Sequence, residues 1–134
     1  MKSRAWKVVA LFVFALLCTV AFSTTAMAKA HIKFSVEHVH MHQAGEVEVV
    51  GYFENDGDKG AYVKWMDLDL TLIADNGQQM WADKGIRHYV DDIYVPAGQY
   101  VAYTYYIQNP DIPEYHGKHR SRWHSRTHYE KAAG

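Results

Sequence analysis

Beyond about residue 30, apolar and polar side chains alternate with a period of two over most of this chain, the spacing that sends successive side chains to opposite faces of a strand. Ile32, Phe34 and Val36 set one phase. Near Glu37 the phase slips by one residue, and Val39 and Met41 continue as the apolar set. A β-bulge or a strand crossing between sheets produces such a slip. After a turn at Gln43-Ala44-Gly45-Glu46, a second strand is predicted over Val47 to Glu54, closed by the polar turn Asn55-Asp56-Gly57-Asp58-Lys59-Gly60.

The clearest run follows: Met66, Leu68, Leu70 and Leu72 alternate with Asp67, Asp69 and Thr71, so one face is core and the other is wet. Asn76-Gly77, between this run and Gln79-Met80-Trp81, is a hairpin signal, because both residues tolerate the positive φ that a two-residue turn demands. Two more strands are predicted over Arg87 to Val95 and Gln99 to Gln108, around Pro96-Ala97-Gly98, before Asn109-Pro110-Asp111-Ile112-Pro113 interrupts regular structure. In the last segment Trp123, Thr127 and Tyr129 fall on one side and Arg120, Arg122, His124, Arg126 and His128 on the other. The pattern predicts an all-β fold, an antiparallel immunoglobulin-like sandwich of about seven strands in one domain over residues 29–134.

The N-terminal segment has a different character. Lys2, Arg4 and Lys7 precede an apolar run from Val8 to Phe22, and Ala26-Met27-Ala28 supplies small residues beyond it. A basic start, an apolar stretch and an A-x-A site are the parts of a secretory signal, and the run is shorter than the ~20 residues that span a bilayer as a helix. Residues 1–28 are therefore expected to be cleaved, leaving no transmembrane segment in an exported protein that is secreted, periplasmic or wall-associated. Cys18, the one cysteine, would leave with the leader. That excludes disulfides, thiolate metal sites and cysteine nucleophiles in the mature chain, whose stability must then come from a packed core.

Charge is uneven. Residues 29–115 carry 6 Lys and Arg against 14 Asp and Glu, whereas residues 116–134 carry 5 against 1, with His116, His119, His124 and His128 among them. The basic end is suited either to the acidic body of its own domain or to a carboxylate-rich or phosphate-rich envelope polymer. Nucleic acid is disfavoured as a partner by the net acidity of the exported chain.

Val49-Val50-Gly51-Tyr52-Phe53-Glu54-Asn55-Asp56-Gly57-Asp58, the Asp-Asn-Gly hairpin, and Ile93-Tyr94-Val95-Pro96-Ala97-Gly98 before an aromatic strand together carry a resemblance. Over roughly residues 47–107 the chain resembles the FxLYD domains, immunoglobulin-like modules of bacterial envelope proteins. The resemblance implies a noncatalytic extracytoplasmic module.

The sharpest chemical pattern is His38-Val39-His40-Met41-His42. On a strand the three imidazoles share one face at ~7 Å spacing, close enough for neighbours to chelate an ion with a further ligand from elsewhere. Imidazole suits zinc or copper. The competing reading leaves Val39 and Met41 in the core and the histidines as a solvated face. Ser35, Ser121 and Ser125 are the only serines beyond the leader, no Gly-x-Ser-x-Gly elbow or phosphate-binding glycine loop occurs, and no enzyme is expected. The sequence thus predicts an exported binding or interaction module of the envelope. The alternatives are a zinc or copper protein using His38, His40 and His42, and a polymer binder using Arg120, Arg122, His124, Arg126 and His128.

Overall fold

The computed structural model describes residues 28–132. The leader expected over residues 1–28, with Cys18, lies outside them except for Ala28. Among the described residues there are six strands and no helix: β1 (Ile32–Gln43), β2 (Glu46–Asn55), β3 (Ala61–Ala74), β4 (Gln79–Val95), β5 (Tyr100–Gln108) and β6 (His119–Lys131). They form two antiparallel three-stranded sheets, β1-β2-β5 and β4-β3-β6, packed face to face as a β-sandwich. The count is six rather than about seven because residues 79–95, expected as two strands, run as one. The break expected before Arg87 is a bulge at Lys84-Gly85 opposite Asp69, and a second bulge stands inside the strand expected over Arg87 to Val95, at Val90-Asp91-Asp92 opposite Lys64.

Each bulge has a local cause. Gly85 has φ +65°, a conformation open to glycine without strain, and its N–H donates to Asp69 Oδ1 at 2.7 Å. Asp92 takes φ +46°, and its carboxylate receives Lys64 Nζ at 2.6 Å. In β1 the register slips between Val36 and His38, so Glu37 is the extra residue that the change of phase predicted.

The central strands β2 and β3 supply nearly half of the core. Val47, Val49 and Phe53 from β2 meet Val63, Met66, Leu68, Leu70 and Leu72 from β3, all buried. Phe34 of β1 packs on Phe53 with ring centroids 4.9 Å apart. A side chain at Gly51 would collide with the Phe34 ring and the Ser35 carbonyl, so glycine there lets the aromatic pair lie against the strand. The chain-breaking segment 109–113 closes one end: Ile112 is fully buried and its carbonyl accepts the Gly45 N–H at 2.8 Å. Among the described residues the core side chains run from Ala30 to Tyr129.

Among the described residues one polar residue is buried, Asn55, at the opposite end. Its Nδ2 donates to the carbonyls of Lys59 (2.8 Å) and Val95 (3.1 Å), and its Oδ1 accepts from the N–H of His31 (3.1 Å) and Gly57 (3.0 Å). All four bonding positions of the amide are used, tying the first residues of the domain, the 55–60 turn and the end of β4 together. Asn55→Ala is expected to lower unfolding free energy by about 2–4 kcal/mol, since four buried or part-buried backbone groups lose their partner. Urea denaturation checks this; a change under about 0.5 kcal/mol would contradict it.

Candidate functional site

The two sheets are joined unequally. On one side β1 and β6 run close together and side chains stitch the seam: Ser125 Oγ donates to the Phe34 carbonyl (2.6 Å), His119 Nε2 to the Val39 carbonyl (2.9 Å) and Tyr129 OH to the Ala30 carbonyl (3.1 Å). On the other side β4 and β5 are bridged through one histidine. His88 Nε2 and Tyr103 OH are 2.6 Å apart, and the His88 ring stacks on Tyr105 at 4.2 Å. Burial disfavours protonation of His88 and of course ionisation of Tyr105, so both are held in their neutral forms.

The outer face of β1-β2-β5 carries the histidine ladder. His38, His40 and His42 are exposed while Val39 and Met41 are buried, as the slipped phase requires. The ring centroids are 5.8 Å apart for His38 and His40 and 5.6 Å for His40 and His42. The second pair is stacked with planes 20° apart, so the ring-nitrogen lone pairs lie in two nearly parallel planes. Among the described residues no group of three or more His, Cys, Asp or Glu side chains is arranged to hold a metal ion. Glu48, opposite His40 in register, lies beside the ladder, 3.7 Å from His42 Nε2. A 2.7 Å bond from Tyr106 OH, followed by the neighbouring imidazoles, holds the Glu48 carboxyl below its ordinary range.

The outer face of β4-β3-β6 is built in cross-strand rows. Tyr89, Trp65 and His128 form one, Arg87, Asp67 and Arg126 the next, and Thr71 lies between Ala82 and Arg122 further along. His128 stacks on Trp65 at 3.8 Å, and the Arg87 guanidinium stands 5.0 Å from the same indole. Arg87 grips Asp67 with two bonds of 2.8 and 3.0 Å, and Arg126 grips Asp69 at 3.1 and 3.3 Å.

The predicted ribbon therefore divides. Arg120, Arg122, His124, Arg126 and His128 all lie exposed on one side of β6, as the alternation required. Arg126 is spent on Asp69 and His128 on Trp65. Arg120 and Arg122 make no ion pair among the described residues. Arg122 and His124 line an open trough of about 650 Å³ with Lys84 and Trp123. Trp123, placed by its parity on the inner side, is 40% exposed, because the edge strand β6 carries its inward side chains at the rim of the core. Glu48, Tyr106, Trp65 and Lys84 join these two surfaces through strand register, a relation that pattern within one strand does not display.

No family model matches the chain, and no curated protein matches it. Among solved structures it is similar to Spo0M, a sporulation control protein from Bacillus subtilis, with 13% identity, 79% of this chain and 49% of that chain covered, and a TM-score of 0.39. The chain spans about half the length of that protein.

Asp69 gives the clearest pH dependence. The Arg126 bonds first, then the Gly85 N–H, push its pKa down to about 2. Its folded pKa lies below the unfolded value, so its stabilising contribution is full above about pH 4 and is lost as pH falls toward 2. Asp69→Asn is expected to lower Tm at neutral pH and to flatten the fall in Tm between about pH 4 and 2. Thermal melts across that range check this; parallel curves for the two proteins would contradict it.

Proposed function

We propose that this chain is an exported, noncatalytic binding module of the cell envelope, and that the outer face of β4-β3-β6 engages an anionic envelope polymer. The observation that carries this reading is the pairing pattern on that face. Asp67 and Asp69 are already neutralised by Arg87 and Arg126, which leaves Arg120, Arg122 and Lys84 without acidic partners among the described residues. Asp83 lines the same trough beside Lys84, so the uncancelled positive field rests on Arg120 and Arg122, and it extends along a strand instead of converging in a closed cavity. Small-molecule sites enclose most of their ligand. An open cationic ribbon beside an exposed Trp123 suits an extended chain bearing carboxylates or phosphates. Export rests on the leader pattern of residues 1–28, and the likeness of residues 47–107 to FxLYD domains supports the same setting. The Ser125 hydroxyl is committed to the β1–β6 seam, a structural role rather than that of a nucleophile.

A second reading has its own observation. Glu48 adds a carboxylate beside His38, His40 and His42, the mixed imidazole and carboxylate donor set that zinc accepts, and the exposed rings are able to turn toward it. It requires the parallel rings to rotate, which places it behind the polymer reading.

One comparison separates the two. The domain from Lys29 onward is expected to be retained on immobilised anionic wall polymer in a salt-sensitive manner, with retention falling at least about tenfold in the Arg120→Gln/Arg122→Gln variant at unchanged Tm. Retention indifferent to both salt and the two substitutions would overturn the reading. Zinc or copper binding tighter than about 1 μM by calorimetry, lost when the three histidines become alanine, would favour the second.

A further inference from the structure

Two three-stranded sheets have four edges, and the protein treats them differently. β1 and β6 face each other across the seam and are stitched by Ser125, His119 and Tyr129. β4 is guarded in the manner typical of natural edges, with three register shifts and the charges Asp83, Lys84, Arg87, Asp91 and Asp92 along it. β5 has none of these devices. Over Tyr100–Gln108 it contains no charge, no proline and no bulge, and it pairs residue for residue with β2 on one side only. Among the described residues no hydrogen bond from backbone or side chain reaches its outward backbone groups, the His88 bond ending on the Tyr103 hydroxyl. Those outward N–H and C=O groups are a template for another strand.

We infer that the β5 edge joins a second copy of this chain, so that two β1-β2-β5 sheets continue into one antiparallel six-stranded sheet. The sequence of β5 is complementary to itself about Thr104. A two-fold axis there places Val101 opposite Ile107, Tyr103 opposite Tyr105, Ala102 opposite Tyr106 and Thr104 opposite its own copy. The Val–Ile, Tyr–Tyr and Thr–Thr pairs are of the kind that stabilise antiparallel sheets, and no like charges meet in this register. The dyad stands perpendicular to the sheet, so the half-buried Val101 and Tyr103 stay on the core side in both copies and extend the apolar layer across the junction.

The size of the contact sets its strength. Nine residues at about 3.3 Å each make an edge roughly 30 Å long, and a sheet layer roughly 10 Å deep gives about 600 Å² buried in total. Stable complexes bury about 1,200–2,000 Å², so the pairing yields a concentration-dependent dimer rather than an obligate one. The inference is independent of the polymer reading, because β5 lies in the other sheet from β6.

Sedimentation velocity on the domain from Lys29 onward tests it. From roughly 5 to 500 μM the average mass is expected to rise from monomer toward dimer. Thr104→Lys sets two like charges on the dyad at an exposed position and abolishes the rise, whereas Lys84→Gln on the β4 edge leaves it intact. Because Cys18 lies in the leader, Thr104→Cys is the only thiol in its domain, and under mild oxidation it is expected to cross-link two copies at least about tenfold faster than Lys84→Cys. A monomer at every concentration, an unimpaired Thr104→Lys dimer, or equal cross-linking of the two cysteine variants would each overturn the inference. If Thr104→Lys fails to fold, the cysteine pair decides the question.

Discussion

The last strand must serve both faces of its sheet, and a period of two makes this possible. Residues of β6 that point inward, His119, Ser125 and Tyr129, give their side-chain donors to carbonyls of β1 and close one side of the sandwich. Those between them, Arg120, Arg122, His124, Arg126 and His128, are exposed. Neither set alone would define the strand: a tail with only the basic residues would have no reason to dock, and one with only the inner residues would bring no charge to the surface. Docking in turn fixes where the charges stand, because register with β3 sets Arg126 beside Asp69 and His128 on Trp65.

The same seam explains why the surfaces of the molecule differ. Closing β1 against β6 covers the two edges where the histidine ladder and the cationic ribbon begin, so both are rigidly presented on sheet faces. Across the molecule, β4 and β5 meet through His88, whose neutral ring lies between Tyr103 and Tyr105. Among the described residues no second seam forms, and β4 and β5 each have a sheet edge without a strand partner. The bulges and charges of β4 discourage pairing, and the plain alternation of β5 permits it.

Much of this arrangement was legible in the sequence wherever the information is local. The slip near Glu37, the alternation of Met66 to Leu72 and the division of β6 into two faces all follow from side-chain period. Relations that depend on register were not legible. Lys84-Gly85 falls in the break expected before Arg87, yet Asp69 on the neighbouring strand holds it as a bulge within one long strand, and the bulge at Asp91-Asp92, held by Lys64, gave no signal in the alternation. Counting back from the Gln43–Glu46 closure would set Met41 opposite Glu48, but a second irregularity between His40 and Gln43 brings His40 there. The carboxylate beside the histidines was hidden for that reason. The division of the basic residues into paired and unpaired groups was hidden likewise, since it depends on which aspartates β3 offers at each level.

The most direct test of the account is removal of β6. A domain running from Lys29 to Gly117 would lose the seam donors and the strand that covers one side of β3. The account predicts that it fails to melt cooperatively and has lost most of its β signal by circular dichroism. A cooperative melt at the temperature of the intact domain would show β6 to be an appended tail, and would contradict both the seam and the fixed presentation of its charges.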